Sequence, residues 1–218
     1  MRLAATEALG RLRRMGKPVI TTGDAALRLG LTRSAATRTL GRLAAAGLVL
    51  HLRHGLWSLD PKIDPLLLPE YLTAPFPAYV SLPSALHLHG MISQVPQVIY
   101  VASLAPTKKI RTRLADYSVH RLAPSFFGGF DTTAGGVRLA RPEKALLDSL
   151  YLAPGRSRLF AALPEVEIPR DFNRKEARRW LNRIAPGPRR RLAESRLEAL
   201  LRGRRRSRMP GRGRRRYV

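Results

Sequence analysis

Two short helical patterns stand almost end to end near the start of the chain, and their spacing restricts the fold more than any other feature of the sequence. The first has Thr22 as its cap and stops at Gly30. The second has Thr32 as its cap, runs from Arg33 to about Ala46 and stops before Gly47. Threonine caps exposed N–H groups at a helix start, and glycine adopts the left-handed conformation that ends a helix. Two short helices joined by so short a turn predict a helix-turn-helix.

The elements around these two helices extend the pattern on both sides. Apolar residues at helical spacing predict a first helix over residues 3–15. Alternation around a tight turn predicts a β-hairpin with strands over residues 48–53 and 56–59. We expect Trp57 to anchor this hairpin to the helices rather than to stack on a base. Because helix, helix-turn-helix and hairpin is the winged-helix order, residues 1–60 are predicted to form a winged helix-turn-helix DNA-binding domain.

One face of the second helix carries hydroxyl and guanidinium groups, and Ser34, Arg38 and Arg42 lie on it at spacings of four. Hydroxyl groups near a helix start can approach bases or phosphates closely, and an arginine can donate two hydrogen bonds to one guanine. The hairpin tip adds Arg53 and His54. The predicted DNA-binding residues are Thr32, Arg33, Ser34, Thr37, Arg38, Arg42, Arg53 and His54.

The rest of the chain predicts a linker and a second, mixed domain. Residues 61–78 contain five prolines, which favours a surface linker without regular secondary structure. Residues 79–185 mix strand and helix patterns, so this domain is predicted to be α/β and the whole chain α+β. Its predicted elements are a short helix capped by Ser81, a buried strand over residues 98–104, strands over residues 109–114 and 117–122, and helices that begin at Pro142 and Asn173.

The charge of the chain indicates a polyanionic partner. Forty lysines and arginines against fifteen acidic residues give a formal net charge of +25, and such a field attracts phosphate chains of any sequence. A terminal helix is predicted over residues 186–202, followed by a disordered Arg/Gly-rich tail over residues 203–218. The tail leaves a second interpretation open, in which the protein binds RNA or other polyanions generally and the folded part is a scaffold.

Other classes of function find little support in the sequence. No apolar run reaches the roughly 18 residues that a membrane span needs, and the chain has no cysteine for a disulfide or a thiolate metal site. His87 and His89 lack the spacing of a zinc site, and Glu143 and Asp148 do not form a recognisable acid–base pair. We therefore expect a cytoplasmic protein that is not an enzyme and has no catalytic residues, metal or cofactor.

The chain resembles the AbiEi family of type IV toxin-antitoxin (abortive infection) systems over roughly residues 15–185. The winged helix-turn-helix is joined here to Tyr-Val-Ser-Leu-Pro-Ser-Ala-Leu-His-Leu-His-Gly at 79–90, Lys-Lys-Ile-Arg-Thr-Arg at 108–113 and Arg-Pro-Glu-Lys-Ala-Leu-Leu-Asp at 141–148. The most specific parts are Ser-Ala-Leu-x-x-His-Gly and Glu-Lys-Ala-Leu-Leu-Asp. The Arg-rich tail that follows residue 202 is a departure from the family.

This resemblance implies a repressor of its own promoter with a separate antitoxin domain. The winged helix would bind an inverted-repeat operator in double-stranded DNA. The domain at 79–185 would counter an AbiEii-like nucleotidyltransferase toxin without forming a stable complex with it. The family's positive antitoxin surface would be supplied here by Lys108, Lys109, Arg111 and Arg113.

Overall fold

The computed structural model describes the backbone of residues 4–153 and 165–207. This part of the chain is α+β, with eight α-helices, two single-turn 3-10 helices and nine strands in two sheets. The α-helices are α1 (Ala5–Arg13), α2 (Thr22–Leu29), α3 (Arg33–Ala45), α4 (Pro69–Thr73), α5 (Leu82–Leu88), α6 (Pro142–Leu152), α7 (Arg174–Asn182) and α8 (Pro188–Ser207). The strands are β1 (Val19–Thr21), β2 (Leu50–Arg53), β3 (Leu56–Ser58), β4 (Ala78–Val80), β5 (Ile99–Ser103), β6 (Lys108–Arg111), β7 (Asp116–Arg121), β8 (Phe130–Thr132) and β9 (Arg138–Ala140).

Local capping chemistry fixes the two short helices near the N-terminus. The helix expected after Thr32 is confirmed as α3, and the Thr32 hydroxyl accepts a hydrogen bond from the Ala35 N–H at 3.3 Å. Gly30 ends α2 in the left-handed conformation, with φ of 67°. The cap of α2 is Thr21 rather than Thr22, because Thr21 and Asp24 bond to each other's backbone N–H groups in a capping box.

A three-stranded antiparallel sheet in the order β1-β3-β2 packs with α1, α2 and α3. The hairpin of β2 and β3 was expected from the sequence. Strand β1 was not, since its three residues are too short to show alternation. The helices bury their apolar faces on a core that includes Leu12, Leu40 and Leu43, and Trp57 lies in the same core. Trp57 is therefore a packing residue, as the sequence predicted.

The second sheet has six strands in the order β6-β7-β5-β4-β9-β8. Its β5–β7 and β4–β9 pairs are parallel, and the other neighbours are antiparallel. Helices α5 to α8 cover one face, where Ala102 of β5 and Ala140 of β9 join Leu86, Leu146 and Trp180 in the largest core cluster. The strands and helices expected over residues 98–122 and after 142 and 173 are present in this unit, which agrees with a mixed α and β composition.

The expectation of an irregular surface linker over residues 61–78 is wrong. The segment holds a 3-10 helix at Pro65–Leu67, helix α4 and the first residue of β4, and Leu68 is completely buried. Pro65 and Pro69 each lie in the first turn of a helix. A first-turn N–H has no partner within its helix, so proline fits there without the loss of a hydrogen bond.

This segment packs between the two sheets and joins their cores. One apolar cluster contains Val19 and Leu52 of the first sheet, Leu68 of the connecting segment, and Ile110 and Tyr117 of the second sheet. The Tyr117 hydroxyl donates to the main-chain carbonyl of the 3-10 helix, at residue 65, at 2.8 Å. The N-terminal unit is thus fixed against the outer face of the six-stranded sheet by apolar contacts.

Helix α8 continues five residues past the expected end at Arg202, to Ser207. A glycine inside a helix costs about 1 kcal/mol relative to alanine, and the arginines around Gly203 are good helix formers, so the helix can continue through it. Residues 203–207 of the expected disordered tail are therefore helical, and its residues 208–218 lie outside the described residues.

A buried ion pair on α6 is hydrogen-bonded to β4 and to the residue that follows it. Lys144 and Asp148 of α6 are both fully buried and paired with each other. Asp148 also accepts hydrogen bonds from the hydroxyls of Tyr79, at 3.0 Å, and Ser81, at 2.6 Å. Ser81 was predicted to cap α5, but its hydroxyl is used here and makes no cap. We call Tyr79, Ser81, Lys144 and Asp148 the buried ion-pair cluster.

Aromatic rings surround the ammonium group of this cluster. The Lys144 Nζ lies 4.0 Å from the ring centre of Phe126 and 4.8 Å from that of Trp180. Gly129 passes so close that an added Cβ would lie 2.7 Å from Trp180 and 2.9 Å from the Lys144 side chain. The ring faces supply negative electrostatic potential to a charge that water cannot reach.

Candidate nucleic-acid interface

A groove of about 660 Å³ separates the start of α3 from the β2–β3 hairpin. Its walls include Arg33, Ser34 and Thr37 of α3 and His51 and His54 of the hairpin. No acidic side chain of the described chain lines it. We call it the α3–hairpin groove.

The polar side of α3 faces this groove because the opposite side of the helix is fixed in the core. Ala36 and Leu40 are completely buried and Leu43 is nearly so. A helix repeats every 3.6 residues, so burial of these positions directs Ser34 and Arg38 to solvent, while Arg33 is exposed in the first turn of the helix.

The structure brings together only part of the predicted DNA-binding set. Arg33, Ser34, Thr37 and His54 line the groove. Arg38, Arg42 and Arg53 are exposed outside its lining, and Thr32 is occupied as the cap of α3. Of the eight predicted residues, Thr32, Arg33, Ser34, Thr37, Arg38, Arg42, Arg53 and His54, the groove therefore brings four together.

The guanidinium groups on α3 are free of carboxylates. Within the part of the chain that the structure describes, Arg33, Arg38 and Arg42 make no ion pair. Arg42 donates to the Thr39 hydroxyl at 3.3 Å, and an Nη atom of Arg33 lies 3.6 Å from where a Cβ on Gly23 would be. These charges remain available for phosphate or base contacts.

Two contacts of Trp57 hold the hairpin against α2. Its indole N–H donates to the Thr22 hydroxyl at 2.9 Å. His51 is paired with Trp57 across the hairpin, and the centres of the two rings lie 4.2 Å apart. The register of β2 with β3 shifts between His51 and Arg53, so the side chains of these two residues do not follow the simple alternation of a regular strand. The hairpin tip with His54 is thereby fixed at the groove edge.

His51 is a groove residue that sequence reasoning missed. Burial lowers its pKa, and the charges of Arg113 and His54 lower it further. The imidazole is thus neutral at pH 7 and can both donate and accept a hydrogen bond. The sequence signal for His51 was its place on a predicted strand two positions before Arg53. Its contact with Trp57 could not be predicted, because that contact depends on the register of the hairpin.

The predicted antitoxin residues do not share one face. They lie on and after β6, an edge strand of the second sheet, and all four are exposed. Lys109 pairs with Ser118 and lines a small cavity with Arg111, whereas Lys108 pairs with Val119 and so points to the opposite face. The strand predicted over residues 109–114 ends at Arg111, so Arg113 does not continue the alternation of Lys109 and Arg111.

Arg113 belongs to the surroundings of the hairpin instead. Its backbone N–H donates to the Leu52 carbonyl at 3.1 Å, which places it beside β2. Its charge acts on the pKa of His51, as described above. The structure therefore divides the four basic residues among two faces of β6 and the hairpin.

The described residues contain no group of three or more histidine or acidic side chains that could hold a metal ion. His89 is bonded to the Ala140 carbonyl at 2.7 Å, and Glu143 accepts from the Asn173 backbone N–H at 2.5 Å. No helix in the described ranges is long and apolar enough to span a bilayer.

Comparison of the chain with protein-family models gives no match, and comparison with curated proteins gives none either.

Proposed function

We propose that residues 1–60 form a winged helix-turn-helix and that the protein is a sequence-specific DNA-binding repressor. The observation that carries this proposal is the α3–hairpin groove, which joins the start of one exposed basic helix to a fixed hairpin tip. In winged-helix proteins the second helix of the motif enters the major groove and the hairpin contacts the neighbouring backbone.

The residues of the groove suit both kinds of contact. Arg33 can donate in a bidentate manner to a guanine, and Ser34 is small enough to allow close approach of a base edge. Thr37 donates to the Arg33 carbonyl at 2.9 Å, which leaves its oxygen as an acceptor. His54 lies at the hairpin tip, where a phosphate would pass. Arg38 and Arg42 continue the charge along the helix.

Fluorescence anisotropy on the DNA upstream of its own gene and on a scrambled duplex tests this proposal. We expect a preference of about a hundredfold or more, since specific sites bind about 10³-fold to 10⁷-fold more tightly than nonspecific DNA at physiological salt. About six phosphate contacts would give a log–log salt slope near −5. Equal binding to both duplexes over the salt series would overturn the proposal.

A charge-matched pair of variants locates the binding surface. Arg33→Gln should weaken operator binding by about 1–3 kcal/mol and relax the preference for the operator, as expected for loss of a bidentate base contact. Arg28→Gln removes the same charge from α2, where Arg28 donates to the Arg11 carbonyl outside the groove. Its effect should be small and equal on both duplexes. Identical losses in the two variants would place recognition elsewhere.

We further propose, on the family resemblance, that the second unit counters a nucleotidyltransferase-like toxin. Lys109 and Arg111 support this as exposed cations on one face of an edge strand. Growth rescue during co-expression with such a toxin tests it. The variant with both residues changed to glutamine should lose rescue and keep operator binding. Full rescue by that variant would show that these residues are not the antitoxin surface.

General polyanion binding by the tail remains the alternative function. Because α8 reaches Ser207, the suitable truncation removes residues 208–218, which include five arginines, rather than cutting at residue 203. A repressor should keep its operator preference after this truncation, with weaker overall binding. Loss of nearly all affinity on DNA and on RNA would favour the alternative.

A further inference from the structure

A second groove lies far along the chain from the α3–hairpin groove, where α7 ends and α8 begins. It has a volume of about 490 Å³, which falls within the usual range of small-ligand sites of about 300–1,000 Å³. Its walls include Arg183 after α7, Arg189 in the first turn of α8, and Ser125. We call it the α7–α8 groove.

The charge of this groove is uncompensated. Arg183 and Arg189 are both exposed, and neither forms an ion pair within the described residues. No acidic side chain of the described chain lines the groove. Lys144 of the buried ion-pair cluster lies behind the same wall, 4.0 Å from the ring centre of Phe126, another lining residue. Its charge is balanced by Asp148, so the groove keeps two unpaired cations.

Aromatic rings hold both guanidinium groups in place. The Arg183 guanidinium carbon lies 4.3 Å from the ring centre of Trp180, and that of Arg189 lies 4.7 Å from the ring centre of Tyr151. A cation over a ring face is attracted by the ring's negative potential, so these contacts restrict both side chains. A guanidinium has five N–H donors, and neither arginine uses them in an ion pair within the described residues, so donors remain available for a phosphate.

The remaining wall is apolar. Ala123, Ala185, Pro186 and Pro188 line it, and the Ser125 hydroxyl adds a neutral donor. A free inorganic anion would use the arginines and leave this wall without a partner. A ligand with a phosphate at one end and a flat, weakly polar ring at the other would use both parts of the groove.

We propose that the α7–α8 groove binds a nucleotide, with its phosphates between Arg183 and Arg189 and its base against the alanine and proline wall. This site is separate from the DNA-binding site, and its test does not depend on the repressor function. The ligand class follows from two preoriented cations beside an apolar surface in a cavity of small-ligand size.

Isothermal titration calorimetry of the full chain with ATP and GTP tests the site, and the arginine variants described next separate the groove from the arginines of the tail. The same titrations use inorganic phosphate and adenosine as partial ligands. A nucleotide should bind at least tenfold more tightly than either one. Equal binding of phosphate would reduce the site to an anion site and overturn the nucleotide assignment, and no binding by 1 mM nucleotide would overturn the site.

Variants place the nucleotide in this groove. Arg183→Gln and Arg189→Gln should each weaken nucleotide binding at least tenfold, and Arg189→Lys should have an intermediate effect because it keeps the charge and loses the planar donor set. Arg178→Gln is the matched control, since Arg178 is an exposed residue of α7 that does not line the groove. Thermal unfolding checks that each variant folds. Equal affinity of the Arg183 and Arg178 variants would refute the placement.

Discussion

Removal of either partner of the buried ion pair should destabilise the protein and give opposite pH dependence in the two cases. Asp148 is completely buried and its carboxylate accepts from Lys144, Tyr79 and Ser81. Burial raises the pKa of Asp148 and lowers that of Lys144, while their mutual attraction opposes both shifts. Each charge therefore depends on the other to remain ionised in the core.

The structure sets the size of the loss in Asp148→Ala. An ammonium group left unpaired in the core costs about 3–5 kcal/mol. The cost cannot exceed the free energy of removing the proton from Lys144. For a lysine of ordinary pKa at pH 7 that is about 5 kcal/mol, at 1.36 kcal/mol per pH unit. Two orphaned hydroxyls add to the loss. We expect a decrease of about 4 kcal/mol in the free energy of unfolding at pH 7.

The complementary variant Lys144→Met leaves a buried carboxyl that can take up a proton. Protonating an ordinary aspartate at pH 7 costs about 4 kcal/mol, which sets an upper limit on the loss, and the donations from Tyr79 and Ser81 stabilise the carboxylate while it is charged. We expect a loss of about 2–3 kcal/mol. The double variant Lys144→Met, Asp148→Ala leaves no unpaired charge, so it should lose less than the sum of the single variants.

The sign of the pH dependence separates the two variants. In Lys144→Met the folded-state pKa of Asp148 lies above its unfolded value, so stability is greatest below pH 4 and falls as the pH rises through the folded-state pKa. In Asp148→Ala the folded-state pKa of Lys144 lies below its unfolded value, so stability rises with pH toward 10.

Urea unfolding at several pH values measures these effects. Trp180 is a suitable fluorescent reporter because its ring centre lies 4.8 Å from the Lys144 Nζ. Circular dichroism of each variant without urea at neutral pH serves as the control for folding. The same pH slope in both variants, or losses below about 1 kcal/mol in both, would refute a buried and mutually dependent charge pair.

Three further perturbations have definite expected outcomes. Gly129→Ala should lower the free energy of unfolding in urea by at least about 2 kcal/mol, since φ is +74° and the new Cβ would meet Trp180. Gly10→Ala, on a helix with open space around it, should raise the free energy of unfolding by about 0.5–1 kcal/mol. The opposite order of the two variants would contradict the packing. Burial lowers the pKa of His120 to about 4, so stability should fall as the pH drops from 6.5 to 4, and His120→Gln should flatten that part of the stability curve; an unchanged curve would refute it. Burial opposes ionisation of Asp24, but hydrogen bonds from Thr21 lower the pKa of its carboxyl. Asp24→Ala should therefore lower the free energy of unfolding by about 1 kcal/mol above pH 4 and by progressively less as the pH falls. A pH-independent loss would exclude the capping box as its cause.

Features set by local chemistry were the ones that the sequence predicted best. The helix after Thr32 was expected over residues 33–46 and spans Arg33–Ala45. The Asn173 side chain caps α7 as expected, by accepting from the Lys175 and Glu176 N–H groups. A cap involves residues within three positions of one another, so its signal survives in the sequence.

Features that depend on distant contacts were missed. Glu143, Lys144 and Asp148 have the composition of a solvent-facing helix side, yet all three are buried because they contact residues from other elements. Asp148 depends on Tyr79 and Ser81, more than sixty positions earlier. The same limitation applies to the α3–hairpin groove, since its helix wall was predicted and the part of its lining from Thr21, Thr22 and Gly23 was not.

The apolar cluster shared by the two sheets determines how the protein can be divided for experiments. A fragment that ends at residue 60 would expose Val19 and Leu52, which are only 2% and 1% accessible in the intact chain. It would also separate Leu52 from the Arg113 N–H that bonds to its carbonyl. Such a fragment carries the whole candidate DNA-binding surface, but its exposed apolar patch favours self-association. Binding data from it would mix recognition of DNA with self-association, whereas in the intact chain the hairpin keeps both of its supports.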